Sequence, residues 1–142
     1  MTNNIVYMGV FLDDDSRRYL LSTYPPKHSR ILADHVTLKF RPTIAEVSSI
    51  ELGTMISMKV TGYAEDEKGQ ALIVELLRAD ENVKRLMARG NKHTHITISV
   101  SEGISPVYSN VLLESRFDPD ESDVVDTGQK LMGVIDTFPR SV

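Results

Sequence analysis

Apolar residues run almost unbroken from Ile5 to Leu12 and stop at Asp13-Asp14-Asp15. A short run rich in β-branched and aromatic residues predicts a buried strand. An aspartate at its end can cap a helix, because its carboxylate accepts bonds from free backbone N–H groups. That helix is expected over Ser16–Thr23, with Tyr19, Leu20 and Thr23 inward and Pro25-Pro26 as its stop. Alternation predicts a strand over His35–Phe40. Thr43 with Glu46 three residues on is a capping box, and it opens a short helix over Thr43–Leu52. Met55–Ala64 and Ala71–Leu77 read as a hairpin turning through Glu65–Gln70. Glu81–Ala88 reads as a helix ended by Gly90. His95–Val100 is a strand, Pro106–Glu114 a helix with proline in its first turn, Arg116–Thr127 an acidic loop, and Leu131–Phe138 the last strand.

The order of these elements contains a weak repeat. A strand, a helix and the strand His35–Phe40 are echoed by the strand Ala71–Leu77, a helix and the strand His95–Val100. Both halves close on His-x-Thr: His35-Val36-Thr37 and His95-Ile96-Thr97. Residues i and i+2 of a strand share a face. His35, Thr37 and Lys39 therefore point away from Val36, Leu38 and Phe40. His95, Thr97 and Ser99 point away from Ile96, Ile98 and Val100. The apolar faces go to a core, and the His/Thr faces are left for something polar. If the halves are related by approximate two-fold symmetry, those faces can meet across one cleft.

Composition narrows the choice. At 142 residues the chain suits one domain, 1–142. It holds 41% hydrophobic and 25% charged residues, which is ordinary for a globular protein. The run Ile5–Leu12 falls far short of the ~20 residues that cross a membrane, and it lacks the flanks of a signal peptide. A cytoplasmic protein with no membrane partner is expected. With no cysteine, thiolate catalysis, disulfides and thiolate metal sites drop out. The net charge is −4. Residues 100–142 carry eight acidic against three basic side chains, so the rest of the chain stands near +1. A long nucleic acid needs many Lys and Arg contacts to phosphates, and this chain lacks the surplus. A small anionic ligand needs only one or two local cations.

The chemistry open to the two His/Thr faces is specific. Two imidazoles flanking a phosphodiester can serve as base and acid, since histidine titrates near neutrality. Each threonine hydroxyl can donate to a non-bridging phosphate oxygen, where charge grows in the transition state. That chemistry calls for no metal and no cofactor.

In these two tetrapeptides the sequence resembles the 2H phosphoesterase superfamily, named for paired His-x-Thr/Ser motifs on two pseudo-symmetric lobes. The resemblance implies an α+β fold: two lobes of antiparallel sheet with outer helices around a central cleft. It also implies His35 and His95 as the catalytic pair, with Thr37 and Thr97 on the phosphate. The spacing of 60 residues between the histidines is short for that superfamily, so the lobes must be trimmed. In size and motif placement the chain looks most like the phage-encoded anti-CBASS phosphodiesterases, which degrade cyclic oligonucleotide immune signals. That implies a small cyclic nucleotide substrate, metal-independent cleavage of its 3′–5′ bonds through a 2′,3′-cyclic phosphate, and the host cytoplasm as the place of action. Oligomeric state leaves no mark in the sequence.

Four further residues are candidate substrate contacts. Tyr7 serves either as core or as a platform for a base. Lys39 and Ser99 share the motif faces. His93, two residues before His95, either orients substrate or is the polar start of its strand. His28 reads as a solvated loop residue. Three other classes stay open. An RNA-end 2′,3′-cyclic phosphodiesterase would use the same residues. A nucleotide-binding module would use them without turnover. A three-histidine metal site from His35, His93 and His95, with Asp34 behind it, would leave both threonines without a role.

Overall fold

A computed structural model describes residues 4–88, 94–116 and 130–139. The elements are β1 (Tyr7–Leu12), α1 (Asp14–Thr23), β2 (Arg30–Ile31), β3 (His35–Phe40), α2 (Ile44–Ser48), β4 (Met55–Glu65), β5 (Gly69–Leu77), α3 (Glu81–Ala88), β6 (His95–Val100), α4 (Tyr108–Arg116) and β7 (Leu131–Phe138).

Local chemistry explains most of the boundaries. Asp13 caps α1, its carboxylate accepting the Ser16 N–H at 2.7 Å. Thr43 and Glu46 form the expected capping box on α2. That helix ends at Ser48, shorter than expected, and none of its residues is buried. With only Val47 packed against the core, a five-residue helix has little reason to extend. In the β4–β5 turn the Asp66 carboxylate accepts the N–H groups of Lys68 and Gly69.

All strand pairings are antiparallel. The sheet order is β2-β6-β3-β1-β7-β4-β5, and β5 also pairs with β6. The six strands β6, β3, β1, β7, β4 and β5 thus close into a ring. The α+β class and the antiparallel sheet match expectation. Among the described residues two lobes with separate sheets do not appear, because every described strand belongs to one continuous sheet. The halves β1–α1–β3 and β5–α3–β6 each pair their own strands, and they are joined through β3 and β6.

One face of that sheet is the core. Met8, Val10, Val36, Leu38, Met58, Leu72, Ile96, Ile98, Leu131 and Ile135 are buried in a single cluster, which also takes in Leu20 and Tyr24 of α1 and Val83 and Leu86 of α3. Val36, Leu38, Ile96 and Ile98 lie where alternation assigns them, whereas Phe40, assigned inward with them, is 57% exposed, because the register shift before it pairs it with Tyr7. A second, smaller cluster lies on the other face. There α4 presses Leu112 and Leu113 against Ala64 of β4 and Ala71 of β5. The remaining outward face, over β3, β1 and the start of β6, carries the motif residues. Among the described residues, no helix is long and apolar enough to cross a membrane.

Candidate functional site

The two motifs meet side by side rather than across a gap between lobes. Val36 pairs with Ile96 in an antiparallel register, and both are fully buried. One residue in either direction sets Thr37 toward His95 and His35 toward Thr97. Each His/Thr corner therefore takes one residue from each half of the chain. Directly opposed side chains lie ~5 Å apart at Cβ and diagonal ones roughly 7–8 Å apart. His35 and His95 are diagonal neighbours, so one phosphate group between them could touch both rings.

The surroundings of His35 are built by three strands. Its Nδ1 lies 2.7 Å from Asp34 Oδ1, leaving Nε2 as the nitrogen for proton transfer. A kink places Asp34 there. Arg30 and Ile31 pair with Val100 and Ser99, yet Val36 pairs with Ile96, so the β2–β3 side is two residues longer than the stretch of β6 opposite. Ala33 takes up the excess at φ 55°, with its N–H on Thr97 O. The hydrogen bond from His35 holds the Asp34 carboxyl below its ordinary value of 3.8, burial works against this, and the charges of His35 and Arg17 add to it. Arg17 is fixed by bonds to Leu32 O at 3.0 and 3.3 Å. Asp34 is the orienting residue that strand alternation could not reveal, since it lies one step off the motif face.

The His35 ring also stacks on Tyr7, with centroids 4.7 Å apart and planes 18° apart, and meets Phe11 at 5.8 Å. Tyr7 in turn stacks on Phe138 at 5.3 Å. Gly9 makes this possible. A Cβ there would come within 2.4 Å of Val36 O, so a side chain would force β1 and β3 apart. Asp136, wholly buried, lies beside Gly9 in register and accepts the Thr137 N–H at 2.7 Å. Phe40 pairs with Tyr7 from the other side and is 57% exposed, with Arg41 above its ring. Phe40, Tyr7 and Phe138 thus stand in one row across three strands.

His95 is 8% exposed, on the partner strand of β5. Thr37 is half-buried, and its hydroxyl makes no hydrogen bond among the described residues. Thr97 differs. Its Oγ1 lies 2.7 Å from Ser109 Oγ and 3.5 Å from Pro106 O.

The other sequence-predicted contacts fall into three groups. Tyr7 is brought to the site. Ser99 keeps to the motif face but is fully buried, donating to Gln70 Oε1 at 2.7 Å and accepting the His28 N–H. The segment after α1 roofs it, because Gln70 also holds Lys27 N and Pro25 O. The same roof corrects the expectation for His28, whose Nε2 is buried without a partner. Lys39 is half-buried, but a bulge breaks its alternation. Gly9 pairs with Thr37 while Met8 pairs with Lys39, so Lys39 lies opposite a core residue. His93 and the acidic stretch 117–129 lie outside the described residues, and so does the three-histidine metal site that needs His93. No group of three or more His, Cys, Asp or Glu among the described residues could hold a metal ion. A cavity of about 240 Å³ opens between α2 and α3, lined by Glu46, Ser49, Asn82 and Arg85, and no motif residue reaches it.

No family model matches the chain. No curated protein matches it either. Among solved structures it is similar to the crystal structure of a fungal RNA kinase, with 21% identity and a TM-score of 0.57. The likeness covers 97% of this chain and 42% of that one, so the chain spans less than half the length of the structure it resembles. At that identity the likeness concerns the fold.

Proposed function

We propose that the protein is a two-histidine phosphodiesterase of the 2H kind, acting on small nucleotides without a metal. The observation that carries this reading is the register of β3 on β6, which gathers His35, Thr37, His95 and Thr97 on one face. One histidine takes the proton of a ribose 2′-OH. The 2′ oxygen attacks the neighbouring phosphorus, the bond to the 5′ oxygen breaks, and the other histidine protonates that oxygen. A 2′,3′-cyclic phosphate results. Its hydrolysis runs the same proton transfers in reverse, with water in place of the 5′ hydroxyl. Thr37 and Thr97 donate to the non-bridging oxygens. On this reading the two strand–helix–strand halves are approximate repeats that each supply one motif. The row Phe40, Tyr7 and Phe138 offers a base a flat apolar surface beside His35, and such stacking is worth about 1–3 kcal/mol per base.

Our first choice of substrate is a small cyclic oligonucleotide signal of the anti-CBASS kind. The charge balance supports this choice, since the chain lacks the basic surplus that a long nucleic acid needs. A second reading, an RNA-end 2′,3′-cyclic phosphodiesterase, is favoured by the fold likeness to an RNA kinase. The purified protein, in excess EDTA, should be offered 3′–5′ cyclic di- and trinucleotides, 2′,3′-cyclic mononucleotides and a short RNA. Linear products from the cyclic oligonucleotides, lost in His35→Ala and His95→Ala, are expected. Opening of 2′,3′-cyclic substrates alone selects the second reading. Absence of any turnover, or turnover abolished by EDTA, overturns both.

A further inference from the structure

Thr97 and Ser109 share a short contact whose protons can be assigned by elimination. Ser109 is fully buried, in the first turn of α4. Its hydroxyl has Thr97 Oγ1 as its hydrogen-bond partner, at 2.7 Å. Shut off from bulk solvent, Ser109 must donate to Thr97 or leave a buried donor unmade, at a cost of about 1–3 kcal/mol. Thr97 has a second neighbour, Pro106 O at 3.5 Å, which can only accept. If Thr97 donated to Ser109, the serine proton would have no acceptor, whereas Pro106 O already accepts the Ser109 N–H at 3.1 Å and is satisfied either way. If Ser109 donates to Thr97, both contacts are satisfied. The threonine proton then rests on a long, weak bond, which a phosphate oxygen can outcompete.

We infer that Ser109 is a positioning residue. It fixes the rotamer of Thr97 and polarises its hydroxyl, so that the threonine proton is held ready for a phosphate oxygen. The inference rests on the reading of Thr97 as a phosphate contact. The serine itself is held rigidly. Tyr108 beside it donates to Asp66 in the β4–β5 turn, and Leu112 and Leu113 anchor the helix on Ala64 and Ala71. A chain of hydroxyls also strengthens its last member, since each bond polarises the next. Thr37 has no such support, so the two threonines are unequal.

The test is a double-mutant cycle on the whole protein, with Ser109→Ala, Thr97→Val and the pair, read as kcat/KM on cyclic diadenylate or adenosine 2′,3′-cyclic phosphate, whichever the wild type turns over. Thr97→Val should cost roughly a hundredfold. Ser109→Ala should cost roughly threefold to tenfold, the worth of one hydrogen bond, and mainly in kcat. In the Thr97→Val background Ser109→Ala should cost nothing more. An equal loss in both backgrounds would show a structural role and overturn the inference, as would Ser109→Ala with wild-type kinetics. Melting temperatures identify a variant that fails to fold, and Ser109→Cys, a weaker donor of similar size, should then fall between serine and alanine. If the wild type turns nothing over, the proposed function has failed. The same cycle on the dissociation constant of adenosine 2′-monophosphate still decides the link between the two residues, and absence of binding by the wild type overturns it.

Discussion

His35 is gripped from two directions, by the Asp34 carboxylate at Nδ1 and by the Tyr7 ring on its face. This is the arrangement that fixes a tautomer and an orientation before substrate arrives. Replacing His35 or His95 by alanine should lower turnover by about 10²–10⁴-fold, the usual worth of a positioned acid or base. Asp34→Asn should cost less, roughly tenfold, because the ring keeps its stacking partners while losing its orienting charge. Asp34 also predicts a pH dependence of stability. Its carboxyl is lowered in the folded state, so its contribution is complete above the unfolded value of about 3.9 and is lost as pH falls through the lower folded value. Below about pH 4 the melting temperature of the wild type should therefore fall more steeply than that of Asp34→Asn, in melts taken from pH 6 to pH 3. Parallel curves would show that the carboxylate contributes nothing to folding. The side chain is 58% exposed, so the effect should be modest.

Elements were legible where one period dominated. His35–Phe40, His95–Val100 and Leu131–Phe138 are strands from end to end, because buried residues recur at every second position of each, although the opposite face of the last two is largely buried as well. The first-turn caps of α1 and α2 were equally plain, being written in local side chains. What stayed hidden were departures from alternation. The two-residue β2, the excess at Ala33–Asp34 and the bulge opposite Met8–Gly9 arise from strands that must follow different partners on either side. Those departures decide the site. They bring Asp34 onto His35 and shift the pairing of Lys39 to Met8. The pairing of both motifs could be read from the repeat, but their direct neighbourhood could not, since long-range strand order has no local signature. Two substitutions test the irregular parts. Gly9→Ala must push β1 from β3, and overpacking of this kind costs about 1–3 kcal/mol. A fall in melting temperature of roughly 3–10 °C should accompany it. Gln70→Leu strips the buried network that holds residues 25–28, and should raise hydrogen exchange at the Lys27 and His28 amides well above wild type. Unchanged exchange there would mean that the segment is held by other contacts.

At the scale of the molecule, the closed ring removes the free sheet edges that an open sheet would expose. Helices α1 and α3 share its apolar cluster, and α4 covers part of the opposite face. Within such a ring the slowest exchanging amides should belong to β1, β3 and β6, whose core residues are fully buried, and those of α2 should exchange among the fastest. The way the corners are composed has a further consequence. Each histidine sits beside a threonine contributed by the other half of the chain. A molecule with one half ordered and the other loose would hold no finished corner, and so would do no chemistry. Catalysis would then act as a gauge of whole-chain order. Turnover lost on warming should follow the same curve as the near-ultraviolet signal of the tyrosines, with no inert yet fully structured population between.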